Sequence, residues 1–418
     1  MSDIRQSKTK SRLQDRWPYF GPEELDALRT TLESGHWGHV SPDGAYVGDF
    51  EPKFERAFAE LHTAEYGLCV ANGTVALQLA LEALDIGAGD EVIVPGLTWQ
   101  ATAGAVLDVN AVPVLVDVEP DTYCIDASLV ESAITPRTRA VIAVHLYNSL
   151  ADLDTLSQLC AKRGLALVED CAHSHGSIWN DRGVGSIGDV GCFSFQSTKS
   201  LTSGEGGFCT TNRDDLWQRM DALRNCGRRP ASAAGGWGPI QSGNYRITEW
   251  QAAILWTQLT RFPEQLARRE DHARRLDQAF AGIDGLTPMK RRPQVTRQGM
   301  YAYVFRYSRD QFHDMPASGF RHALSNRLRI NVGSTYEPLN ESPFYQPQTK
   351  RRHRLGDQWD QIDPRRFDLP VAKRAYEEEA VVVPHEVLLS DWEGLVSILD
   401  AVEWIRVQAE RGVFEPDQ

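Results

Sequence analysis

One lysine stands where its side chain could carry covalent chemistry. Lys199 follows an apolar run that ends at Phe195, lies five positions after Ser194, and precedes the glycine-rich stretch 204–207. A lysine amine can form a Schiff base with an aldehyde, and the serine hydroxyl could hold a phosphate carried by the same molecule. The spacing therefore indicates an enzyme that uses a phosphorylated aldehyde as its cofactor.

An acidic residue with complementary chemistry lies earlier in the chain. Asp170 ends a hydrophobic stretch that begins at Ala166. A carboxylate in this place could pair with a protonated pyridine nitrogen, which is what pyridoxal 5'-phosphate (PLP) needs to act as an electron sink. His173, three positions further on, could hydrogen-bond the phenolic oxygen of the cofactor. Together with Lys199, these residues predict a PLP enzyme.

Two further candidates follow apolar runs. Gly73 and Thr74 lie at a strand-to-helix turn, where free backbone N–H groups and the helix dipole favour an anion, and where glycine lets a phosphate approach closely. Trp99 could stack on the flat pyridine ring. Taken alone, the turn could be an ordinary helix start and the tryptophan a core residue. The presence of Lys199 and Asp170 favours cofactor binding for both.

The predicted reaction gives Lys199 two roles. It would first hold the cofactor as a Schiff base, from which an incoming amine displaces it. It would then move a proton between the substrate carbon and the cofactor carbon, as general base and general acid. A donor amine would leave its nitrogen on the cofactor in one half of the reaction, and an acceptor ketone would take it in the other.

The elements that position these residues alternate along the chain. Helix-like segments separate most of a series of apolar runs at 66–70, 91–95, 112–116, 140–146, 165–168, 191–195 and 207–210. Such a pattern predicts an α/β fold with a mainly parallel sheet covered on both faces. Parallel sheets of this kind bind their ligands at the carboxyl ends of the strands. Asp170 and the segment that leads to Lys199 lie at such ends.

The 418-residue length predicts two to three domains. The pattern changes after about residue 250, where 247–280 reads as one or two long helices. We expect a polar N-terminal arm at 1–22, a large PLP-binding domain at 23–285 and a smaller C-terminal α/β domain at 286–418.

Composition excludes several classes of partner. The net charge of −13 argues against nucleic acid, and no apolar stretch is long enough to predict a membrane span. The N-terminus lacks an apolar signal core, and the seven dispersed cysteines fit reduced thiols, so we expect a cytoplasmic protein. Cys171, His173 and His175 lack a fourth neighbouring ligand, so no metal is expected.

The motifs together resemble the DegT/DnrJ/EryC1/StrS family of PLP-dependent sugar aminotransferases, which have the type I aminotransferase fold with a seven-stranded, mainly parallel sheet. The resemblance rests on residues 71–77, 95–102, 168–176, 185–189, 193–207 and 244–253. It implies Lys199 for the Schiff base, Asp170 for the pyridine nitrogen and Trp99 for ring stacking. The remaining implied cofactor contacts are Gly73, Thr74 and Ser194 on the phosphate and His173 near the ring oxygen.

The resemblance also implies a second subunit. Asn244 matches an asparagine that reaches the phosphate from the partner in this family, so the active site would be shared within a homodimer. Relatives that carry histidine in place of the lysine are dehydratases. The presence of Lys199 therefore favours transamination.

Finer similarity points to one branch of the family. Residues 195–207 and 336–345 are similar to the glutamine-dependent scyllo-inosose and 2-deoxy-scyllo-inosose aminotransferases of aminoglycoside antibiotic biosynthesis. Asn340 and Asn148 stand where many nucleotide-sugar members have histidine and glycine. A cyclitol ketone would need neutral polar partners, and the candidates are Gln196, Tyr336, Asn340 and Tyr345.

Several alternatives remain open at this point. A 3-amino-5-hydroxybenzoate synthase resembles this branch around the lysine, and a nucleotide-keto-sugar aminotransferase is the next rival. A non-catalytic regulator would be expected to lack Lys199 or Asp170, and both are present. The amino donor (glutamine, glutamate or alanine) and the number of pathway steps served are not decided by the sequence.

Overall fold

The computed structural model of the protein describes residues 13, 16–38, 48–228 and 240–412. Most of the predicted arm at 1–22 lies outside these residues. The helices are α1 (Pro22–Ser34), α2 (Phe50–Leu61), α3 (Gly73–Ala83), α4 (Ala101–Asp108), α5 (Ala127–Ala133), α6 (Leu153–Arg163), α7 (Asp214–Arg224), α8 (Glu249–Phe280), α9 (Ala317–Leu328), α10 (Gln358–Gln361), α11 (Pro370–Arg374) and α12 (Trp392–Glu410). The strands are β1 (Tyr66–Val70), β2 (Glu91–Pro95), β3 (Val112–Val116), β4 (Thr138–Val144), β5 (Ala166–Asp170), β6 (Ile178–Trp179), β7 (Arg182–Gly183), β8 (Val190–Ser194), β9 (Gly207–Thr211), β10 (Leu286–Pro288), β11 (Val295–Arg297), β12 (Ala302–Tyr307) and β13 (Ala380–Pro384).

The described residues form one large sheet of seven strands in the order β1-β9-β8-β5-β4-β2-β3. All neighbours pair in parallel except β9, which is antiparallel to both β1 and β8. The strands are almost continuously buried, as five of five residues in β2 show, because helices cover both faces of the sheet. The predicted mainly parallel α/β fold is confirmed.

Two smaller antiparallel sheets complete the strand pairing. One joins β10, β12 and β13, and the other joins β11, β6 and β7. Each strand that the apolar runs predicted is present; β1, β2 and β3 have the predicted bounds, and the other four differ by one or two residues at an end. The run at 140–146, for example, corresponds to a strand over Thr138–Val144.

The buried side chains form two hydrophobic clusters. The first surrounds the seven-stranded sheet, and the second packs β10, β12 and β13 against α9 and α12. The later chain does not belong to the second cluster alone, since Leu339, Leu369 and Ala372 pack in the first. The domain boundaries at 22/23 and 285/286 therefore stay predictions.

The 32-residue helix α8 contributes to both clusters. Phe262 and Leu266 pack in the first, whereas Leu276 and Phe280 pack in the second. The helix begins at a capping box, in which the Gln251 side chain accepts from the backbone N–H of Thr248 at 3.0 Å.

The sequence predicts reduced cysteine thiols and no membrane span. None of the helices in the described ranges combines the length and the apolar character that a membrane crossing requires. All seven cysteines are unpaired, and six of them are buried.

Candidate active site

A cavity of about 790 Å³ opens at the carboxyl ends of the parallel strands. Three lining residues follow strands of the large sheet: Asn72 follows β1, Trp99 follows β2, and His145 follows β4. Asp170 ends β5 and Ser194 ends β8. The topology thus brings residues far apart in sequence to one edge of the sheet, as expected for an open α/β fold.

One wall of the cavity has the properties of a phosphate cradle. Helix α3 begins at Gly73, and Asn72 caps it by accepting from the backbone N–H of Val75 at 3.0 Å. The preceding N–H groups of the helix have no intrahelical partner and can bind an anion. A Cβ atom at Gly73 would lie 2.7 Å from Ser194 Cβ, and one at Gly207 would lie 2.3 Å from the carbonyl carbon of Asn72. Only glycine permits this close approach, so these residues fit a phosphate.

Asp170 lies buried at the floor of the cavity. The Thr102 hydroxyl donates to its Oδ2 at 2.9 Å, and the backbone N–H of Ala172 donates to its Oδ1 at 3.2 Å. Thr98 supports Thr102 through a hydroxyl contact of 2.9 Å. Burial raises the pKa of Asp170, although the two hydrogen bonds oppose that change. Because a carboxylate has about four acceptor positions, Asp170 keeps capacity for a ring N–H.

The preceding residue, Glu169, forms hydrogen bonds within the protein and does not line the cavity. Its carboxylate accepts from the backbone N–H groups of Gly185, Ile187 and Gly188 and contacts His145 Nε2 at 3.2 Å. Burial alone would raise the pKa of Glu169, but these donors outweigh it and lower the pKa. Successive strand residues face opposite sides of a sheet, so one carboxylate supports the structure while its neighbour faces the cavity.

Lys199 is buried beside the cavity, with its Nζ 4.2 Å from the centre of the Tyr301 ring. Burial lowers the pKa of the Lys199 amine to about 8, and the charge of Asp170 partly opposes this shift. A substantial fraction of the amine is therefore neutral near pH 8, as a nucleophile and general base require.

Stacked rings hold His173 in place. Its ring lies 3.7 Å from that of Tyr301, with an interplanar angle of 15°. The backbone N–H of Tyr147 donates to His173 Nδ1 at 3.2 Å, so the proton of the neutral ring is on Nε2, which lies 3.4 Å from the Tyr336 hydroxyl. Burial, followed by the charge of Lys199, lowers the pKa of His173 well below its usual value. His173 is therefore a neutral donor.

Most of the residues predicted from the sequence line the cavity. These are Gly73, Thr74, Trp99, Asp170, His173, Ser194, Gln196, Lys199 and Tyr336. Tyr301 and Thr102 also line it, and sequence reasoning missed them as contacts of Lys199 and Asp170. Thr102 lies in a quoted motif, but nothing in its spacing identifies its partner. Tyr301 precedes β12, packs against the first cluster and carries no local signal.

Three predicted site residues lie elsewhere. The exposed Asn244 pairs with Asn225 in an isolated bridge. Asn340 donates to the backbone oxygen of Phe367 at 3.0 Å, and Tyr345 is buried in the first cluster. None of the three lines the cavity formed by the described residues. Their roles in cofactor or substrate binding stay predictions.

A mainly parallel sheet that brings a buried lysine, a buried aspartate and the start of a helix to one edge is the arrangement of an α/β enzyme. The chain belongs to the DegT/DnrJ/EryC1/StrS aminotransferase family, whose model matches residues 19–387. It is therefore an aminotransferase.

Two aminotransferases and one solved structure are similar to this chain over most of its length. The chain is 41% identical over 397 residues to the L-glutamine:scyllo-inosose aminotransferase of Streptomyces griseus, with 92% of each chain covered. It is 42% identical over 396 residues to the L-glutamine:2-deoxy-scyllo-inosose aminotransferase of Streptomyces fradiae, again with 92% of each covered. The solved structure of 3-amino-5-hydroxybenzoic acid synthase superposes with a TM-score of 0.81 at 30% identity, over 96% of this chain and 100% of that one.

Proposed function

We propose that this protein uses PLP to move the amino group of L-glutamine onto the ketone of a neutral cyclitol, in the biosynthesis of an aminoglycoside antibiotic. The acceptor is scyllo-inosose or its 2-deoxy analogue. The relatives of 41% and 42% identity are named for these two substrates. The observation that carries the proposal is the juxtaposition of Lys199 and Asp170 in one cavity whose lining is poor in cations.

The charge of the cavity favours a neutral acceptor. Within the described ranges, Lys199 is the only lysine or arginine of the lining, whereas Asp170 and Glu205 contribute carboxylates and the carboxylate of Asp108 is paired with Arg352. The diphosphate group of a nucleotide sugar is normally bound by arginine or lysine side chains. Hydroxyl groups of a polyol can instead be bound by amide and phenol groups, and Gln196 and Tyr336 line the cavity. This difference favours a cyclitol over a nucleotide sugar.

Different residues of the chain would bind the cofactor and transfer the proton. Gly73, Thr74 and Ser194 would hold the phosphate, and Asp170 would accept from the pyridine N–H. When bound, PLP supplies the electron sink that stabilises a negative charge on the substrate carbon. Lys199 would take the proton from that carbon and deliver it to the cofactor carbon on the other side of the nitrogen, and its lowered pKa suits both steps. His173 would donate from Nε2 to the ring oxygen.

We also propose a homodimer as the working unit in the cytoplasm. Asn244 is exposed and lies outside the cavity of its own chain, so a role on the phosphate requires a second copy. The 3-amino-5-hydroxybenzoate synthase remains the alternative activity, but that solved structure shares 30% identity, below the relatives that act on cyclitols.

The test is an assay of the PLP-loaded protein with L-glutamine and one acceptor at a time. The acceptors are scyllo-inosose, 2-deoxy-scyllo-inosose, a cyclitol ketone that already carries an amine, and a keto-nucleotide sugar. We expect an aminocyclitol from at least one of the first two, and no product from the Lys199→Ala protein. Turnover of the nucleotide sugar alone would contradict the cyclitol assignment and leave the aminotransferase class intact.

The donor is tested in the same format. L-Glutamate and L-alanine replace L-glutamine at equal concentration, with the best acceptor held constant. We expect glutamine to give the highest rate. A higher rate with alanine or glutamate would overturn the donor assignment alone.

A further inference from the structure

The two carbonyl groups next to the Lys199 side chain are both held by rings from distant parts of the chain. The indole Nε1–H of Trp17 donates to the carbonyl oxygen of Lys199 at 3.1 Å. His385 Nε2 donates to the carbonyl oxygen of Thr198 at 2.9 Å. Trp17 precedes α1, and His385 follows β13 in the second cluster of the fold. Three separate regions thus meet at the backbone of the lysine.

The two rings also hold each other. Trp17 and His385 pack edge to face, with 4.8 Å between ring centres and an interplanar angle of 87°. The guanidinium of Arg269, which is fully buried, lies 5.0 Å from the Trp17 ring. Aromatic pairs and cation–π contacts of this kind favour one fixed arrangement.

The chemistry of His385 makes it a permanent donor. A carbonyl oxygen can only accept, so the proton of the neutral imidazole is on Nε2. Nδ1 is buried and has no hydrogen-bond partner among the described residues. Burial and the charge of Arg269 lower the pKa of His385 well below its usual value. The ring therefore keeps one tautomer and one charge state over the range in which an aminotransferase works.

We propose that Trp17 and His385 are positioning residues that fix the backbone of Lys199, and through it the direction from which the amine reaches the cofactor. The proposal rests on the proposed PLP site. The lysine side chain has several free torsions, and ordering a reacting group beforehand raises the rate of an intramolecular step. The backbone N–H of Lys199 is also fixed, since it donates to the Gln196 oxygen at 2.8 Å.

The experiment measures formation of the Schiff base between the full-length apoprotein and PLP. The amine nitrogen attacks the aldehyde carbon and one water leaves, and rapid-mixing absorbance follows the product. The plateau rate at saturating PLP reports the step that depends on the lysine, whereas the half-saturating concentration reports binding of the phosphate and ring. We expect His385→Leu and Trp17→Phe each to lower the plateau by about tenfold and to change the half-saturating concentration less than twofold.

Two further variants separate positioning from general structural damage. His385→Gln keeps an N–H donor near the position of Nε2 and should restore most of the plateau rate. His272→Leu is the matched control, because His272 is similarly buried and contacts the Leu388 oxygen through Nδ1 at 2.8 Å. It belongs to α8, and we expect its plateau rate to be unchanged even where the melting temperature falls.

The outcomes decide the proposal. An unchanged plateau in both His385→Leu and Trp17→Phe would overturn it, as would an equal loss in His272→Leu. If the unsubstituted protein forms no Schiff base at all, the PLP assignment itself is wrong. Failure of the proposed function is thus distinguished from failure of the positioning role.

Discussion

The inner and outer ends of the cavity are held in different ways. At the inner end, the side chains are buried, and those of Asp170 and His173 are also fixed by hydrogen bonds; this end is Asp170, His173, Ser194 and Lys199. At the outer end, the ring of the lining residue Trp99 is 46% exposed, and Phe344, which contacts that ring from outside the cavity lining, is 72% exposed. Among the described residues, the Trp99 ring contacts the rings of Tyr336 and Phe344, whose centres lie 5.6 Å and 6.0 Å from its own.

From this difference we expect the inner end to carry the reaction and the outer end to recognise the acceptor. The inner end is preorganised before any ligand binds, which is what a common reaction chemistry requires. The outer end leaves polar and aromatic surface open, so a substrate or a second copy of the chain can complete it. Changes at the inner end should therefore alter catalysis, and changes at the outer end should alter which acceptor is used.

The largest expected effect comes from removing the amine at the inner end. Lys199→Ala should lose the Schiff-base absorbance band and about four orders of magnitude in rate, because it lacks both the nucleophile and the general base. Borohydride reduction followed by peptide mapping should place the cofactor on residue 199 of the unsubstituted protein. A stable reduced adduct on another lysine would contradict the assignment.

Replacing the neighbouring acid should separate activity from stability. Asp170→Asn should lower kcat by a hundredfold or more, on the order of other lost electrostatic contacts. Its apoprotein should nevertheless be at least as stable, because burial raises the pKa of Asp170 and its ionised form is unfavourable in the fold. Denaturation at pH 7 together with steady-state rates checks both statements.

Glu169→Gln is the matched comparison on the same strand. It places an amide NH₂ among three backbone N–H donors, so it should destabilise the protein by about 2 to 3 kcal/mol. Its effect on stability should exceed that of Asp170→Asn. The reverse order would show that the two carboxylates do not differ as their hydrogen bonds indicate.

The pH dependence of Schiff-base formation should sharpen the description of the inner end. Because the neutral amine reacts, the rate should rise with pH through about 8 and not near the ordinary lysine value of 10.5. Asp170→Asn should move the midpoint lower, since the Asp170 charge raises the pKa of the amine. The folded pKa lies below the unfolded one, so this group lowers apoprotein stability below pH 8, and that cost disappears between pH 8 and 10.5.

The smallest effect is expected at the outer end. Phe344→Ala removes a largely exposed ring that contacts Trp99. It should change the KM for the acceptor by about two- to fivefold and leave kcat and the Schiff-base band unchanged, since little buried area is lost. A fall in kcat as large as that of Asp170→Asn would break the distinction between the two ends.

The position of the inner-end residues at one edge of the sheet could be predicted because the signals are local, whereas their roles stay predictions. Asp170, Ser194 and the start of α3 at Gly73 each lie at the end of an apolar strand, and the parallel topology brings those ends together. The large sheet and its strands, to within two residues at each end, followed from the same apolar runs. Family resemblance then supplied what spacing could not, namely the class of the amino acceptor.

The outer end and the contacts of Lys199 were predicted poorly because they depend on long-range packing. Asn340 and Tyr345 were chosen for their hydrogen-bonding groups, yet neither lines the cavity. Tyr301 and Trp17 reach the lysine from more than a hundred positions away along the chain. No periodicity or turn signal records such a contact, since it results from how the segment before β12 and the N-terminal segment pack beside the lysine.

Helix α8 has a consequence for how the molecule comes apart. Its buried residues are divided between the two clusters, from Phe262 in the first to Phe280 in the second. If one half of this helix lost its packing while the other half stayed in place, the apolar side chains of the first half would be exposed to water. Melting should therefore be cooperative across both clusters, and a calorimetric scan should lose the lysine site and the C-terminal packing in a single peak.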